Sequence, residues 1–282
     1  DCSKDGGVVV ELFEKPEKAW KTPLVGAKCR ITYSIARQGE EPLVTRTFNH
    51  KMGTEIILGE NSYHEEVTLG LEMALEAMVP GQSAEVNVTA KYGFGEEGYR
   101  DNVKSGEGIW YKVKLETVEN PQAIDSMSLE EKRAFSDSWK TRGNEHFKAN
   151  RPLKAIRIYR RAMEPFQQVD DLPMVEKPTG REVAQACLSN IAACYDKLQQ
   201  WSNSIDTCNQ CLYLNYENKK ARFRRARAYT NTSRLVEAEV DLKKLLEEDP
   251  SDKAVVSLLT DVKKQLKEAN SQSKSTFGKM FK

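Results

Sequence analysis

Ala192-Ala193-Cys194-Tyr195, with Ser204 nine residues after the tyrosine, returns as Ala226-Arg227-Ala228-Tyr229 with Ala238 nine residues after its own tyrosine. Ser204 and Ala238 are 34 residues apart, and each falls where a second helical pattern begins after a first one ends. Ala155, in Leu153-Lys154-Ala155-Ile156, holds the same place 49 residues before Ser204. Small residues at a fixed period mark stacked helical hairpins, because side chains of that size let two crossing helices approach closely while neighbouring hairpins bury a continuous core.

A step of 34 is the period of the tetratricopeptide (TPR) repeat. The step of 49 is that period plus a 15-residue insertion, which the loop-like stretch from Val169-Asp170-Asp171-Leu172-Pro173 to Lys177-Pro178-Thr179-Gly180 supplies. Gly143-Asn144-x-x-Phe147 marks the first unit, and Asp249-Pro250 closes the third. Helical periodicity predicts helices at 129–149, 152–168, 181–197, 202–214, 218–230, 235–248 and 252–269. The second half is therefore expected to be an all-α TPR solenoid, three motifs over 129–250 and an extension helix within 251–282. That helix would turn Val255, Leu258, Leu259, Val262 and Leu266 inward as a cap.

Upstream of Asn120-Pro121 the period is two. Val8 to Phe13, Lys28 to Ala36, Gly81 to Ala90 and Trp110 to Val118 read as strands, the second alternating Cys29, Ile31, Tyr33 and Ile35 against polar neighbours. One short helical pattern interrupts them, with Leu71, Ala74, Leu75 and Met78 on one face and Pro80-Gly81 closing it. An antiparallel sheet with one short helix is an α+β domain, expected over 1–120, with 121–128 as linker.

Of the 282 residues, 39% are hydrophobic and 30% charged, normal for folded modules that bury cores. No apolar run approaches the ~18–20 residues that cross a bilayer, so a membrane span is not expected, nor a retained leader. The chain opens on Asp1 rather than Met, and is expected to be a fragment or processed form. Forty-three basic and 42 acidic residues argue against a dedicated nucleic-acid binder. Residues 1–120 nevertheless hold 14 Lys/Arg against 20 Asp/Glu, leaving 29 against 22 for the rest, so the second half suits an acidic partner. The six cysteines are too few and too uneven for a disulfide scaffold, which points to a reducing compartment. Cys187, Cys194, Cys208 and Cys211 could share a zinc ion, but they sit in helical patterns where small apolar residues pack, so they are read as core. His50, His64 and His146 have no ligand spacing, and no phosphate-cradling loop or nucleophile–base pattern appears; neither metal nor cofactor is expected.

One constellation inside the repeats carries chemistry: Lys140 and Asn144 in the first A helix, Asn190 in the second, Lys220 and Arg224 in the third. Each cationic pair is spaced i, i+4 and points to one side of its helix. Stacking brings those faces together, where three cations would grip a peptide's chain-end carboxylate and a neighbouring acidic side chain while the two amides fix its orientation. The set resembles the five-residue carboxylate clamp of TPR co-chaperones that dock the acidic tails, ending Glu-Glu-Val-Asp, of heat-shock protein 90 and heat-shock protein 70.

Residues 6–120 resemble the FKBP family of peptidyl-prolyl isomerases through Gly6-Gly7-Val8, Ile56-Ile57-Leu58-Gly59-Glu60, Gly70-Leu71-Glu72-x-Ala74-Leu75-x-x-Met78 with Gly81-Gln82, and Lys91-Tyr92-Gly93-Phe94-Gly95. The order of parts resembles the C-terminal portion of a multi-domain FKBP immunophilin. Isomerisation in that family needs a dry aromatic cup that favours the twisted over the planar amide, against a barrier of ~18–20 kcal/mol. The resemblance places Tyr33, Val67, Thr68, Leu71, Phe94 and Tyr111 at the cup. Leu71 stands where active members place a floor tryptophan, Thr68 replaces an isoleucine, and Phe94 replaces a tyrosine. Leu43-Val44 stands near the place of a Phe-Asp pair, and Arg100 to Gly106 replaces a Pro-rich segment. Tyr33 also reads as a plain core tyrosine.

The expected protein is a TPR co-chaperone whose groove takes the tail of heat-shock protein 90, with heat-shock protein 70 as second candidate. Its FKBP-like domain would be a client-binding or spacer module of little or no isomerase activity; the alternative is an active isomerase with an altered pocket. The client is not legible. A basic amphipathic tail, Lys263, Lys264, Lys267, Lys274, Lys279 and Lys282 among Val262, Leu266, Phe277, Met280 and Phe281, adds calmodulin as a candidate partner. The expected location is the cytoplasm, with the nucleus second.

Overall fold

The computed structural model describes residues 1–13, 21–37, 49–60, 66–100 and 102–280, with backbone alone at 49–52, 270 and 272–280. It divides into two units, Asp1–Ala123 and Ile124–Lys282. The stretch expected to be linker carries a 3₁₀ turn, Ile124–Ser126, and ends on a helix cap.

The first unit is a five-stranded antiparallel sheet of β1 (Val8–Leu12), β2 (Lys28–Arg37), β3 (Asn49–Ile57), β4 (Ser83–Val88) and β5 (Ile109–Glu119), in the order β1-β4-β5-β2-β3. Alternation decides the faces: Cys29, Ile31, Tyr33 and Ile35 of β2 are buried while Lys28 and Arg30 are exposed. Against the inner face lies α1 (Leu69–Glu76). It starts where Thr68, in extended conformation, accepts a hydrogen bond from the Leu71 amide. Gly70 lets this helix sit down on the sheet, since a Cβ there would stand 2.4 Å from Val88 Cγ1. β3 is absent from the sequence expectation. It lies at one edge of the sheet, with β1 at the other, and Asn49-His50-Lys51-Met52-Gly53-Thr54 offers no apolar–polar alternation to read as a strand.

The second unit runs as helical hairpins: α2 (Leu129–Lys148) with α3 (Pro152–Met163), α4 (Lys177–Lys197) with α5 (Trp201–Leu214), α6 (Lys219–Asn231) with α7 (Leu235–Glu248), then α8 (Lys253–Met280). A capping box opens α2, Ser128 Oγ accepting from the Glu131 amide and Glu131 reaching back to the Ser128 amide. Ala155, Ser204 and Ala238, the residues that set the period, are all fully buried. Gly143 and Tyr159 make the first crossing, where a Cβ on the glycine would lie 2.5 Å from the ring. Val255, Leu259 and Val262 of α8 are buried against the third hairpin, with Leu258 and Leu266 packed beside them. The α6–α7 seam also holds charge. The Asp241 carboxylate is buried and accepts two hydrogen bonds from Arg225, at 2.7 Å each, and one from the buried Arg222 at 3.4 Å.

Two boundaries differ from expectation. α3 ends at Met163 and continues as a 3₁₀ turn, Glu164–Phe166, because Pro165 cannot extend the α ladder. The stretch 177–180, expected as loop, is the first turn of α4: Pro178 suits that position, and Gly180 packs under Leu172 and Phe166.

Gly143→Ala should force the α2–α3 crossing apart and lower stability by about 1–3 kcal/mol, read as a reduced midpoint in urea. An unchanged midpoint would mean the crossing tolerates a methyl group.

Candidate functional site

In the helical unit the A helices α2, α4 and α6 lie side by side and bring most of the five candidate residues into one system. Asn190 Nδ2 donates to Asn144 Oδ1 at 3.2 Å, and the Tyr159 hydroxyl donates to the same oxygen at 2.7 Å. The two amides are thus joined across α2 and α4 and fixed from behind by α3. Arg224 donates to Ser189 Oγ of α4 at 2.8 Å, which orients its guanidinium across the α4–α6 junction. Lys220 is exposed and has no partner among the described residues. Lys140 is half-buried and bonded to Asp137, one turn before it, at 2.5 Å. A ligand carboxylate would compete with Asp137 for that ammonium.

Lys220 and Arg224 line a cavity of about 630 Å³ together with Phe147, Ala193, Trp201 and Phe223. Cations set in an aromatic wall act through a lower effective dielectric than cations in bulk water, so each carboxylate contact gains strength. Nearby thiols register the same field. Burial pushes Cys187 up to about 12, opposed by the charge of Lys140, and Cys194 up to about 12, opposed by Lys197 and Arg224. Among the described residues, no three His, Cys, Asp or Glu side chains are placed to hold a metal ion. Cys208 and Cys211 are each buried, and Cys211 contacts the Gln185 carbonyl and the Asn218 amide rather than a shared centre.

The structure brings the cup residues of the first unit together around one buried carboxylate. Leu71 is fully buried at the start of α1, and Val67, Thr68, Tyr33 and Tyr111 are buried around it. Into this cluster comes Glu66, 8% exposed, which nothing in the sequence pattern marked. Its carboxylate accepts from the Tyr33 hydroxyl at 3.1 Å and from the Tyr99 hydroxyl at 3.3 Å. Its carbonyl accepts from the Tyr111 hydroxyl at 2.7 Å, and Tyr111 also meets Thr68 Oγ1 at 3.0 Å. Phe94 stacks on Tyr99 with ring centroids 4.6 Å apart. Burial, reinforced by the Glu66 carboxylate, lifts the Tyr33 phenol well above its usual range, so it stays a hydrogen-bond donor. Tyr33 is at once a core residue and a member of this site.

Leu43-Val44, Asp101, His64, Phe281 and Lys282, and the side chains of His50, Lys274, Phe277, Lys279 and Met280, lie outside the described residues. No helix of the described residues is long and apolar enough to cross a membrane.

A five-stranded sheet carrying one short helix, followed by three helical hairpins with a capping helix, defines a class: an FKBP-type domain joined to a TPR solenoid. Residues 19–116 match the family described as FKBP-type peptidyl-prolyl cis-trans isomerase, and the N-terminal unit is an FKBP-type domain. Across 99% of its length the chain is homologous to FK506-binding protein 59 of Drosophila melanogaster, at 26% identity over 282 residues. It is likewise homologous to peptidyl-prolyl cis-trans isomerase FKBP4 of Bos taurus, at 27% over 280 residues. It spans 61% and 59% of the lengths of those two relatives. A multi-domain immunophilin from Arabidopsis thaliana aligns with a TM-score of 0.41 and 24% identity, over 86% of this chain and 94% of that one.

Cys29, Cys187, Cys194, Cys208 and Cys211 are buried, while Cys2 is partly exposed. Native labelling with a thiol reagent at neutral pH should modify Cys2 alone, the other five reacting only on unfolding. Burial raises all five above the ordinary thiol value of 9.0, Cys29 to about 12 and Cys211 to about 11. The unfolded chain therefore loses thiol protons first, and stability should fall as pH rises past about 9. Rapid labelling of more than one thiol in the folded protein would contradict the packing.

Proposed function

We propose that this chain is a co-chaperone adaptor whose TPR groove binds the acidic C-terminal tail of a heat-shock chaperone, that of heat-shock protein 90 first and heat-shock protein 70 second. The observation that carries the reading is the joined pair Asn144–Asn190 on the same set of A helices whose Lys220 and Arg224 line the aromatic-walled cavity. Amides that fix a peptide backbone and cations that take its carboxylates are what an acidic chain end requires. Each well-aligned cation–carboxylate contact contributes about 1.5–3 kcal/mol. In sum this supports micromolar binding once the ordering of the tail is subtracted.

In this reading the FKBP-type domain is a spacer or client-binding module with little or no isomerase turnover. Leu71 would supply the floor with a smaller, non-aromatic surface, and the Glu66 carboxylate brings a buried charge with its tyrosine donors beside it. A buried carboxylate is also a poor neighbour for an apolar ring, since displacing it strips the two hydrogen bonds it accepts from Tyr33 and Tyr99. The buried thiols suit a reducing cytoplasm. Calmodulin docking on the exposed Lys263, Lys264 and Lys267 face of α8 remains part of the proposal, tested by calcium-dependent capture.

Calorimetric titration of the chain with a peptide ending Glu-Glu-Val-Asp should show micromolar binding that weakens steeply with added salt. Lys220→Ala and Arg224→Ala should each weaken it about tenfold or more. Unchanged affinity in both variants would remove the adaptor reading. A proline-peptide isomerisation assay should give background rates; turnover that Tyr33→Phe abolishes would instead establish an active enzyme.

A further inference from the structure

Asp196 is out of place for a groove that takes acidic ligands. It lines the same cavity as Lys220 and Arg224, and its side chain is only 3% exposed. A buried carboxylate there would repel a ligand carboxylate unless it were itself neutralised. Arg227 of α6 supplies the opposite charge, donating to Oδ2 at 2.5 Å, and Ser204 Oγ of α5 adds a hydrogen bond to Oδ1 at 2.6 Å.

Arg227 is held at one corner only. Its side chain is 45% exposed, it too lines the cavity, and one of its guanidinium nitrogens meets Asp196. A guanidinium has five N–H donors in a planar fork, so the remaining edge is available to a second carboxylate. Lys220, Arg224 and Arg227 stand at i, i+4 and i+7 on α6, one continuous stripe down the helix face, with Phe223 among them. The stripe extends about 10 Å along α6, roughly the length of three extended peptide residues. It therefore outreaches what a single chain-end carboxylate can occupy. Lys197, stacked over the Phe147 ring at 5.2 Å, adds charge to the same opening.

We propose that Arg227, aimed by the buried Asp196, is a specificity-determining contact of the groove that takes an acidic side chain of the bound peptide upstream of its terminal carboxylate. The proposal rests on the reading of the groove as an acidic-peptide site and adds a sixth contact to the five that the resemblance supplied. Asp196 acts as a positioning residue. It fixes the plane of the fork, so that recognition depends on where along the ligand the acid falls and not only on how many acids there are.

The test is a double-mutant cycle on the full chain. Acidic peptides ending Glu-Glu-Val-Asp, each with one upstream glutamate changed to glutamine, are titrated against the unsubstituted protein and Arg227→Gln. One peptide position should couple: replacing that glutamate should cost about five- to tenfold in the unsubstituted protein and nearly nothing in Arg227→Gln, while the terminal carboxylate keeps its full effect in both. Asp196→Asn should reduce the coupling and retain binding of all peptides. Arg227 is exposed, so its variant tests the idea even if Asp196→Asn fails to fold. Equal weakening of every peptide by Arg227→Gln, or no weakening, overturns this inference and leaves the groove reading standing. No binding of any peptide to the unsubstituted chain takes both down.

Discussion

Tyr159 joins the packing of the helical unit to the chemistry of its groove. Its ring fills the space that Gly143 leaves open at the α2–α3 crossing, and its hydroxyl holds the Asn144 amide that in turn holds Asn190. The distance between hairpin helices is thus set by the same side chain that fixes two of the groove's polar groups. Burial lifts the Tyr159 phenol above its usual range, which keeps it protonated and donating. These contacts set the orientation of both amides through the packing of the hairpin itself.

The two units treat their polar side chains differently. In the solenoid, cations are left facing a cavity, with Lys220 exposed and Arg224 and Arg227 each restrained through one neighbour. In the FKBP-type domain, the Tyr33, Tyr99 and Tyr111 hydroxyls all find acceptors on the buried Glu66. Satisfied buried polar networks rigidify a core and specify its arrangement.

Much of this was legible because periodicity reports burial. The 34-residue recurrence of Ala or Ser at helix crossings located the repeats, and the i, i+4 pairs Lys140/Asn144 and Lys220/Arg224 located one face of their helices. β3 escaped because its residues around Gly53 show no apolar–polar alternation. The first turn of α4 escaped because Pro178 and Gly180 mimic loop composition while serving a helix start. Glu66 could not be found at all: a glutamate beside Val67 looks solvated until the fold sets it among Tyr33, Tyr99 and Tyr111. Arg227 carried a usable signal, its i+7 spacing from Lys220, but an isolated arginine gains meaning only when Asp196 is seen beside it.

Asp241 at the α6–α7 seam bears on how the two helices of the third hairpin find their register. An apolar seam between two paired helices tolerates slippage, because one small apolar side chain packs much like the next. A seam containing a buried carboxylate accepts only the surface that brings Arg222 and Arg225 with it, since an orphaned charge there would cost several kcal/mol. The pairing of α6 with α7 inside the third hairpin is therefore set by charge as well as by apolar fit, on the helix that also carries Lys220 and Arg224.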